Sequence, residues 1–293
     1  MRLVKSSFVG SCLIFWCIAG PLGARARAVT LFVGNEANGT IDRVAANGTV
    51  SIFASGFSHP DGLAFDDSGN LFVADAGTGT ISEVTPSGTV STFATGVPHP
   101  FGLVIDQSGN LYTSSYGLGV SEITPNGTVS TFATGPSGEG LAIDGGGNLY
   151  VAYYTSNGSG IAEYSSAGIE SNYVSGLYAP MGDAFDGSGD LFVSSEGGEV
   201  IYEILPNGNS SAFTRNVTSP FGLAFDGDGN LFATDQSDDT VDEITPDKTV
   251  TAFATGFSGP SAIAIQPVPE PGSGTITVTA LLITYTRRRR GEF

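Results

Sequence analysis

The chain has 293 residues, 40% of them apolar and 42 of them glycine, and it carries 29 acidic against 11 basic residues, a formal net charge of -18. The apolar share is enough for a core, which excludes a disordered acidic tail, and the glycines have no three-residue period, which excludes collagen. Between residues 29 and 268 only Arg43, Arg215 and Lys248 are basic, so we expect an acidic surface and no nucleic-acid partner.

Residues 1–28 have the pattern of an export signal. Two of the first five residues are basic, an apolar stretch follows at 8–19, and Ala26 to Ala28 has the small-x-small pattern of a cleavage site. The stretch is too short for a comfortable membrane span. We predict cleavage after Ala28, with lipoprotein processing at Cys12 as an alternative. Cleavage after Ala28 also removes the other cysteine, so the exported protein has no disulfide.

A repeat occupies the middle of the chain. The phrase PDGLAFDDSGNLFVAD at 60–75 returns in related form at 100–115, 138–153, 180–195 and 220–235, a spacing of 38 to 42 residues. A second phrase follows each time, such as ISEVTPSGTVSTFATG. In the second unit the strand-like runs are Gly62–Phe65, Leu71–Ala74, Ile81–Val84 and Val90–Ala94. Four short strands in about 40 residues, separated by turns, are typical of a β-propeller blade.

The two ends of the repeat complete one more blade. Residues 29–35 match a second strand, 41–56 match a third and a fourth, and 260–267 match a first strand without successors. The sequence therefore predicts an all-β, six-bladed β-propeller over residues 29–267, with four antiparallel strands per blade. Strands from both termini close the ring in one blade, which protects the sheet edges.

The repeat also predicts the core. Glycine and alanine in the first strand permit a close approach around the central axis, and larger side chains of that strand fill the space between blades. The predicted inter-blade residues are Leu63, Phe65, Leu103, Ile105, Leu141, Ile143, Phe185, Leu223 and Phe225. The predicted outer layer contains Phe53, Phe93, Phe132, Phe213 and Phe253.

Five acidic loops of the DDSGN type, at 66–70, 106–110, 144–148, 186–190 and 226–230, resemble fragments of calcium loops. A calcium loop needs further oxygen ligands and usually a distal glutamate, and none stands at that spacing. The simpler interpretation is a tight turn between the first and second strands, in which aspartate accepts backbone hydrogen bonds and glycine takes a positive φ.

The residues that break the repeat are the candidate site. They are His59, His99, Asp61, Glu139 and Asp183, all at or near the start of a first strand. Together they are candidate catalytic residues and candidate ligands of Ca²⁺ or Zn²⁺ at one rim of the channel. The simpler interpretation makes the histidines solvated loop residues. A buried unpaired aspartate is costly, so we expect Asp183 to have a hydrogen-bond partner.

The repeat phrases resemble the NHL and gluconolactonase-like group of propellers over residues 29–267. That resemblance implies the propeller fold and is compatible with enzymes, ligand binders and interaction platforms. Gluconolactonase-like enzymes are expected to hold a metal with a Glu/Asn/Asp set. Asn35 and Asp235 at second-strand ends do not map cleanly onto it. Related virginiamycin B lyase-like enzymes use histidine with acidic partners, and only His59 and His99 are available.

The C-terminal residues 268–293 contain Val-Pro-Glu-Pro, a short apolar run and the cluster Arg287 to Arg290. This order is similar to the PEP-CTERM sorting signal of bacteria, which implies an exosortase-type enzyme that reads residues 268–290. The arginines are expected to stay on the cytoplasmic side, so the tail anchors the protein transiently in the membrane during export.

These observations predict an exported cell-surface or extracellular-matrix propeller that acts as a non-catalytic binding module, with an exopolysaccharide or a surface protein as candidate partner. The nearly identical blades favour binding, because a catalytic site usually makes several units diverge. The alternative is a metal-dependent lactonase or a lyase at the channel mouth.

Overall fold

The computed structural model describes residues 29–115, 118–136 and 138–267, which form 24 β-strands and one 3-10 turn at Glu196–Gly198. The strands form six four-stranded antiparallel sheets. This confirms the predicted six-bladed propeller, and the described residues contain no helix long and apolar enough to cross a membrane. The predicted signal at 1–28 and the predicted tail at 268–293 lie outside the described residues.

The blades follow one another along the chain. Blade 1 contains β1 (Leu31–Asn35), β2 (Thr40–Val44), β3 (Val50–Ser55) and the closing strand β24 (Pro260–Ile265). Blade 2 contains β4 (Pro60–Phe65), β5 (Leu71–Asp75), β6 (Thr80–Val84) and β7 (Val90–Thr95). Blade 3 contains β8 (Pro100–Ile105), β9 (Leu111–Ser115), β10 (Gly119–Ile123) and β11 (Val129–Ala133).

The second half repeats this order. Blade 4 contains β12 (Gly138–Ile143), β13 (Leu149–Thr155), β14 (Gly158–Tyr164) and β15 (Glu170–Ser175). Blade 5 contains β16 (Pro180–Phe185), β17 (Leu191–Ser195), β18 (Val200–Ile204) and β19 (Ser210–Thr214). Blade 6 contains β20 (Pro220–Phe225), β21 (Leu231–Asp235), β22 (Thr240–Ile244) and β23 (Val250–Thr255).

The ring closes as predicted. Strand β24 pairs antiparallel with β1, so that Ile265 faces Leu31 and Ile263 faces Val33. A strand from each end of the propeller therefore shares one sheet, and neither terminus leaves an unpaired inner edge.

A hydrophobic cluster lies between each pair of neighbouring blades, and the leucines predicted for these clusters are 5–8% exposed. The larger side chains two residues later, Phe65, Ile105, Ile143, Phe185 and Phe225, are only partly buried against the same clusters, because each ends its strand next to a surface turn. In the outer layer Phe53 packs edge-on against Phe32, with ring centroids 4.8 Å apart, and the pattern recurs in the other blades.

Chain direction gives the propeller two different faces. Every first strand begins at one face, the mouth face, and ends at the opposite, far face, where the acidic DDSGN-type loops lie. In the first loop one carboxylate oxygen of Asp66 accepts the N–H groups of Ser68 at 2.9 Å and Asn70 at 2.7 Å, and the other accepts the Asn70 amide at 2.9 Å. Both carboxylate oxygens accept hydrogen bonds within the turn, which supports a tight turn rather than a calcium loop.

Candidate functional site

A β-bulge at the start of each first strand shapes the mouth of the central channel. In blade 2, Pro60 pairs with Asp75 and Gly62 with Ala74, so Asp61 is an extra residue outside the ladder. The same shift recurs in all six first strands. Bulges commonly redirect side chains near functional sites. The six extra residues form the mouth ring, in the order Ser261, Asp61, Phe101, Glu139, Met181 and Phe221.

The glycine after the bulge lets neighbouring first strands approach closely. A Cβ at Gly62 would lie 2.1 Å from the carbonyl oxygen of Phe101, and one at Gly140 would lie 2.1 Å from that of Met181. Both distances are far below van der Waals contact, so only glycine fits there. This confirms the predicted close approach around the axis and fixes the spacing of the mouth ring.

Residues at the ends of second strands hold the loops that lead into the ring. The carboxylate of Asp75 accepts the backbone N–H groups of Ser58 and His59, each at 2.9 Å. Asp235 accepts those of Thr218 at 2.7 Å and Ser219 at 3.2 Å in blade 6. These aspartates are therefore engaged in positioning the mouth loops.

Four of the five candidate residues line one cavity. The mouth cleft has a volume of about 450 Å³, and its walls include His59, Asp61, His99 and Glu139. Its other lining residues are Glu36, Ala76, Gly77, Phe101, Met181, Glu196, Phe221 and Gln236. The two histidines lie on neighbouring blades, as predicted, since β4 packs against β8. The mouth face thus brings two histidines, four carboxylates and an apolar wall to one place.

Burial and like charge perturb the carboxylates of the cleft. Burial, followed by the charges of Glu36, Glu139 and Asp75, raises the pKa of Asp61 to about 8. Burial also raises the pKa of Glu139, with smaller effects from Glu196 and Glu36. His59 Nε2 lies 3.9 Å from Glu36 Oε1, and both side chains are about half exposed. Burial and neighbouring charges therefore disfavour the ionised forms of Asp61 and Glu139.

Asp183 lies apart from the other four candidates. It lines the channel beneath the mouth cleft, a cavity of about 320 Å³ that shares Asp61, Glu139, Met181 and Phe221 with the cleft. Neither carboxylate oxygen is accessible to solvent, and neither has a hydrogen-bond partner among the described residues. Burial raises the pKa of Asp183 well above its ordinary value.

Hydroxyl side chains of the second strands bridge neighbouring blades at some junctions but not at the junction of blades 4 and 5. At the junction of blades 3 and 4, Ser114 accepts a hydrogen bond from the Gly102 N–H at 3.0 Å and donates one to the Glu139 carbonyl at 3.1 Å. Thr234 makes the same bridge between blades 6 and 1. The equivalent residue between blades 4 and 5 is Ala152, which has no hydroxyl to offer.

A metal site is not assembled by these side chains. Within residues 29–115, 118–136 and 138–267, no three His, Cys, Asp or Glu residues are grouped so that they could hold a metal ion. The candidate ligands do not fit Ca²⁺ or Zn²⁺ coordination, which needs several donors converging on one point. We therefore derive no chemical step through a metal.

Sequence reasoning missed Glu36, Glu196 and Gln236. Each directly follows the last residue of a second strand, and Gln236 Nε2 donates to Glu36 Oε2 at 3.4 Å across the closing blades. A comparison of the units at that single position would have found them, because blade 2 has Ala76 there. The position that distinguishes these residues is visible in the sequence, but it lies outside the repeated phrases.

The comparisons with known proteins show the fold. No protein-family model and no curated protein matches the chain. A chain of a nidogen/laminin complex matches with a TM-score of 0.73 and 18% identity, covering 82% of this chain and 98% of that one. A putative gluconolactonase matches with a TM-score of 0.61 and 19% identity over 70% of this chain and 81% of that one. Virginiamycin B lyase from Staphylococcus aureus matches with a TM-score of 0.56 and 18% identity over 69% and 73%. The similar structures thus include a propeller from a protein complex and two enzyme-like propellers, which share this architecture.

Proposed function

We propose that the protein is an exported, non-catalytic binding module whose mouth cleft recognises a partner at the cell surface or in the extracellular matrix. The observation that carries the proposal is the composition of the cleft. It joins an apolar wall to carboxylates and histidines in one concave surface. Such concave sites with a few polar groups are typical of ligand recognition.

Export and sorting belong to the same proposal. The segment 1–28 directs the chain out of the cytoplasm, and 268–290 recruits an exosortase-type enzyme and anchors the protein transiently. The likeness to a propeller of a nidogen/laminin complex supports an interaction role. The fold alone does not distinguish binding from catalysis, because it hosts both.

A second candidate is an eliminating lyase or a lactonase in the same cleft. One observation favours it, namely that the pKa of Asp61 is raised to about 8 by burial and neighbouring charges. A carboxyl group that titrates near neutral pH is suited to general acid–base catalysis. Two enzyme-like structures with the same fold suggest the substrates to try, a gluconolactone and virginiamycin B.

One experiment separates the two candidates. The purified protein is incubated with each substrate, with and without added Ca²⁺, Mg²⁺ or Zn²⁺, and hydrogen exchange is measured with matrix material from the producing cells. The binding proposal predicts no turnover and slower exchange in the loops at 57–61 and 97–101. Turnover that is lost in Asp61→Asn would reject it in favour of the enzyme. Protection confined to the far-face turns would reject the mouth cleft as the site.

A further inference from the structure

We propose that the pair Asn157 and Gly158 is a site of spontaneous deamidation, at which the folded protein converts Asn157 to aspartate or isoaspartate with water as the only reactant. The pair lies in the hairpin between β13 and β14 on the mouth face. The inference goes beyond the proposed function and does not depend on it, because it concerns the reactivity of the chain itself.

The reaction needs nothing from outside the chain except water. The backbone nitrogen of Gly158 loses its proton to solvent and attacks Cγ of Asn157, so that a C–N bond forms and the bond from Cγ to Nδ2 breaks. The amide nitrogen takes up a proton and leaves as ammonia. Water then opens the cyclic imide at either of its two carbonyl carbons. Glycine after asparagine favours the attack, because it has no Cβ to hinder ring closure.

The chain has five asparagines followed by glycine, and hydrogen bonds hold four of these turns closed. In the four, the asparagine Oδ1 accepts the N–H group two residues later at 3.0–3.3 Å. The glycine N–H donates to a carbonyl three or four residues earlier at 2.8–3.0 Å. The four pairs are Asn38 and Gly39, Asn47 and Gly48, Asn126 and Gly127, and Asn207 and Gly208. Each turn must therefore open before its glycine nitrogen can attack.

Asn157 is not restrained in this way. Among the described residues no hydrogen bond engages its side-chain amide, and its backbone N–H donates to Thr155 Oγ1 at 3.3 Å. Gly158 pairs with Thr155 at the last position of the β13–β14 ladder, where a hairpin opens most easily. The side chain of Asn157 is therefore free to turn its Cγ toward the Gly158 nitrogen.

Packing around the glycine distinguishes the same pair from the other four. A Cβ on any of the other four glycines would lie 2.1–3.3 Å from a backbone carbonyl oxygen, whereas nothing lies within 4 Å of one on Gly158. All five asparagines are exposed, but Gly158 is the one exposed glycine of the five. Ring closure moves the backbone of both residues, and among the five pairs only this one has open space for that movement.

The modified residue would adjoin the mouth cleft. Ser159 Oγ donates to the Leu177 carbonyl, and Tyr178 follows Leu177. The Tyr178 ring packs so closely on Gly197 that a Cβ there would lie 2.5 Å from Cε1 of the ring. Gly197 follows Glu196, which lines the cleft. Deamidation therefore adds a negative charge beside an acidic site, and isoaspartate also lengthens the backbone of the hairpin.

Peptide mapping by mass spectrometry measures the reaction at all five pairs in one sample. The purified chain is incubated in mildly alkaline buffer, and fragmentation that distinguishes aspartate from isoaspartate follows each site with time. We expect Asn157 to react at least about tenfold faster than each of the other four, because these must first break two turn hydrogen bonds. Equal rates at the five sites, or a faster reaction at any other site, would overturn the inference.

The same incubation in urea is the matched control. In the unfolded chain the turn hydrogen bonds are gone, so we expect the five rates to agree within about threefold. If Asn157 keeps its full lead in urea, local sequence rather than the fold causes it, and the inference fails.

Two variants, checked for folding by melting curves, confirm the position. The folded wild type should accumulate an acidic form that ion-exchange chromatography separates. Asn157→Gln should lack this form, because glutamine would have to close a larger ring, whereas Asn47→Gln should produce it at the wild-type rate. An acidic form that accumulates equally fast in Asn157→Gln would contradict the assignment.

Discussion

Replacing Asp183 by leucine should stabilise the propeller. The other five first strands carry Leu63, Leu103, Leu141, Leu223 or Ile263 at this position, and these side chains are 5–8% exposed within the inter-blade clusters. The cluster between blades 4 and 5 alone lacks such a residue among its described members. Burial of a leucine side chain contributes about 1.5–3 kcal/mol, and removal of an unsatisfied buried carboxyl relieves about 1–3 kcal/mol.

Steric crowding opposes part of this gain. Oδ1 of Asp183 lies 2.6 Å from where a Cβ on Gly140 would be, and forcing extra volume into a packed site costs about 1–3 kcal/mol. A net gain of about 2 kcal/mol at pH 7 corresponds to a melting temperature higher by about 4–8 °C for a domain of this size.

The pH dependence of the gain identifies its cause. Because the pKa of Asp183 is raised in the folded state, its contribution to stability is fully present below about pH 4, the unfolded value, and is lost as the pH rises. The advantage of Asp183→Leu should therefore be larger at pH 7 than at pH 4 in urea unfolding. The mirror variant Leu223→Asp should lose stability with the same pH trend. A leucine variant that is less stable at both pH values would refute the reasoning.

Three further predictions concern single positions. Asp190→Asn should raise the free energy of unfolding by about 1 kcal/mol. The new amide would donate to Asp186, as the asparagine amide does to the equivalent aspartate at 2.8–2.9 Å in four other turns. A lower free energy of unfolding in urea would contradict this. Gly62→Ala should destabilise by about 1–3 kcal/mol, because its Cβ would lie 2.1 Å from a backbone carbonyl, whereas Gly145→Ala, with no atom within 4 Å, serves as the harmless control. The stability of the wild type should fall as the pH rises from about 4 to 8. The reason is that the pKa of Asp61 is raised to about 8, so the folded protein holds a proton that the unfolded chain releases. A free energy of unfolding that does not change between these pH values would contradict the prediction.

Much of the fold could be predicted because every repeat unit has the same pattern of strands and turn residues. The count of six followed from matching residues 29–35 and 260–267 to complementary strands of one blade, and the pairing of Val33 with Ile263 confirms it. The burial of Phe65 and its counterparts was overestimated, because apolar identity does not show that a residue ends its strand beside a surface turn.

The site was only partly predictable, for physical reasons that differ between residues. His59, Asp61 and Glu139 stood out because they break a repeated phrase, and the bulge then carries the ring residues out of the ladder. Asp183 broke the same phrase, but it follows the bulge and so turns toward the inter-blade space instead of the mouth. Glu36 lies just outside the repeated phrases, so only a comparison of the residues that follow each second strand would have marked it.

Residues that depart from the repeat destabilise the fold by different amounts. A departure that costs more stability is a stronger indication of function. A side chain at a bulge, such as Asp61, leaves the packed core unchanged, so a polar residue there disturbs stability only through its own charge. Asp183 occupies a core position and leaves two oxygens unpaired, a violation that real proteins tolerate chiefly at functional sites. Asp183→Leu should therefore raise the free energy of unfolding, whereas a change at Asp61 acts on stability only through its charge.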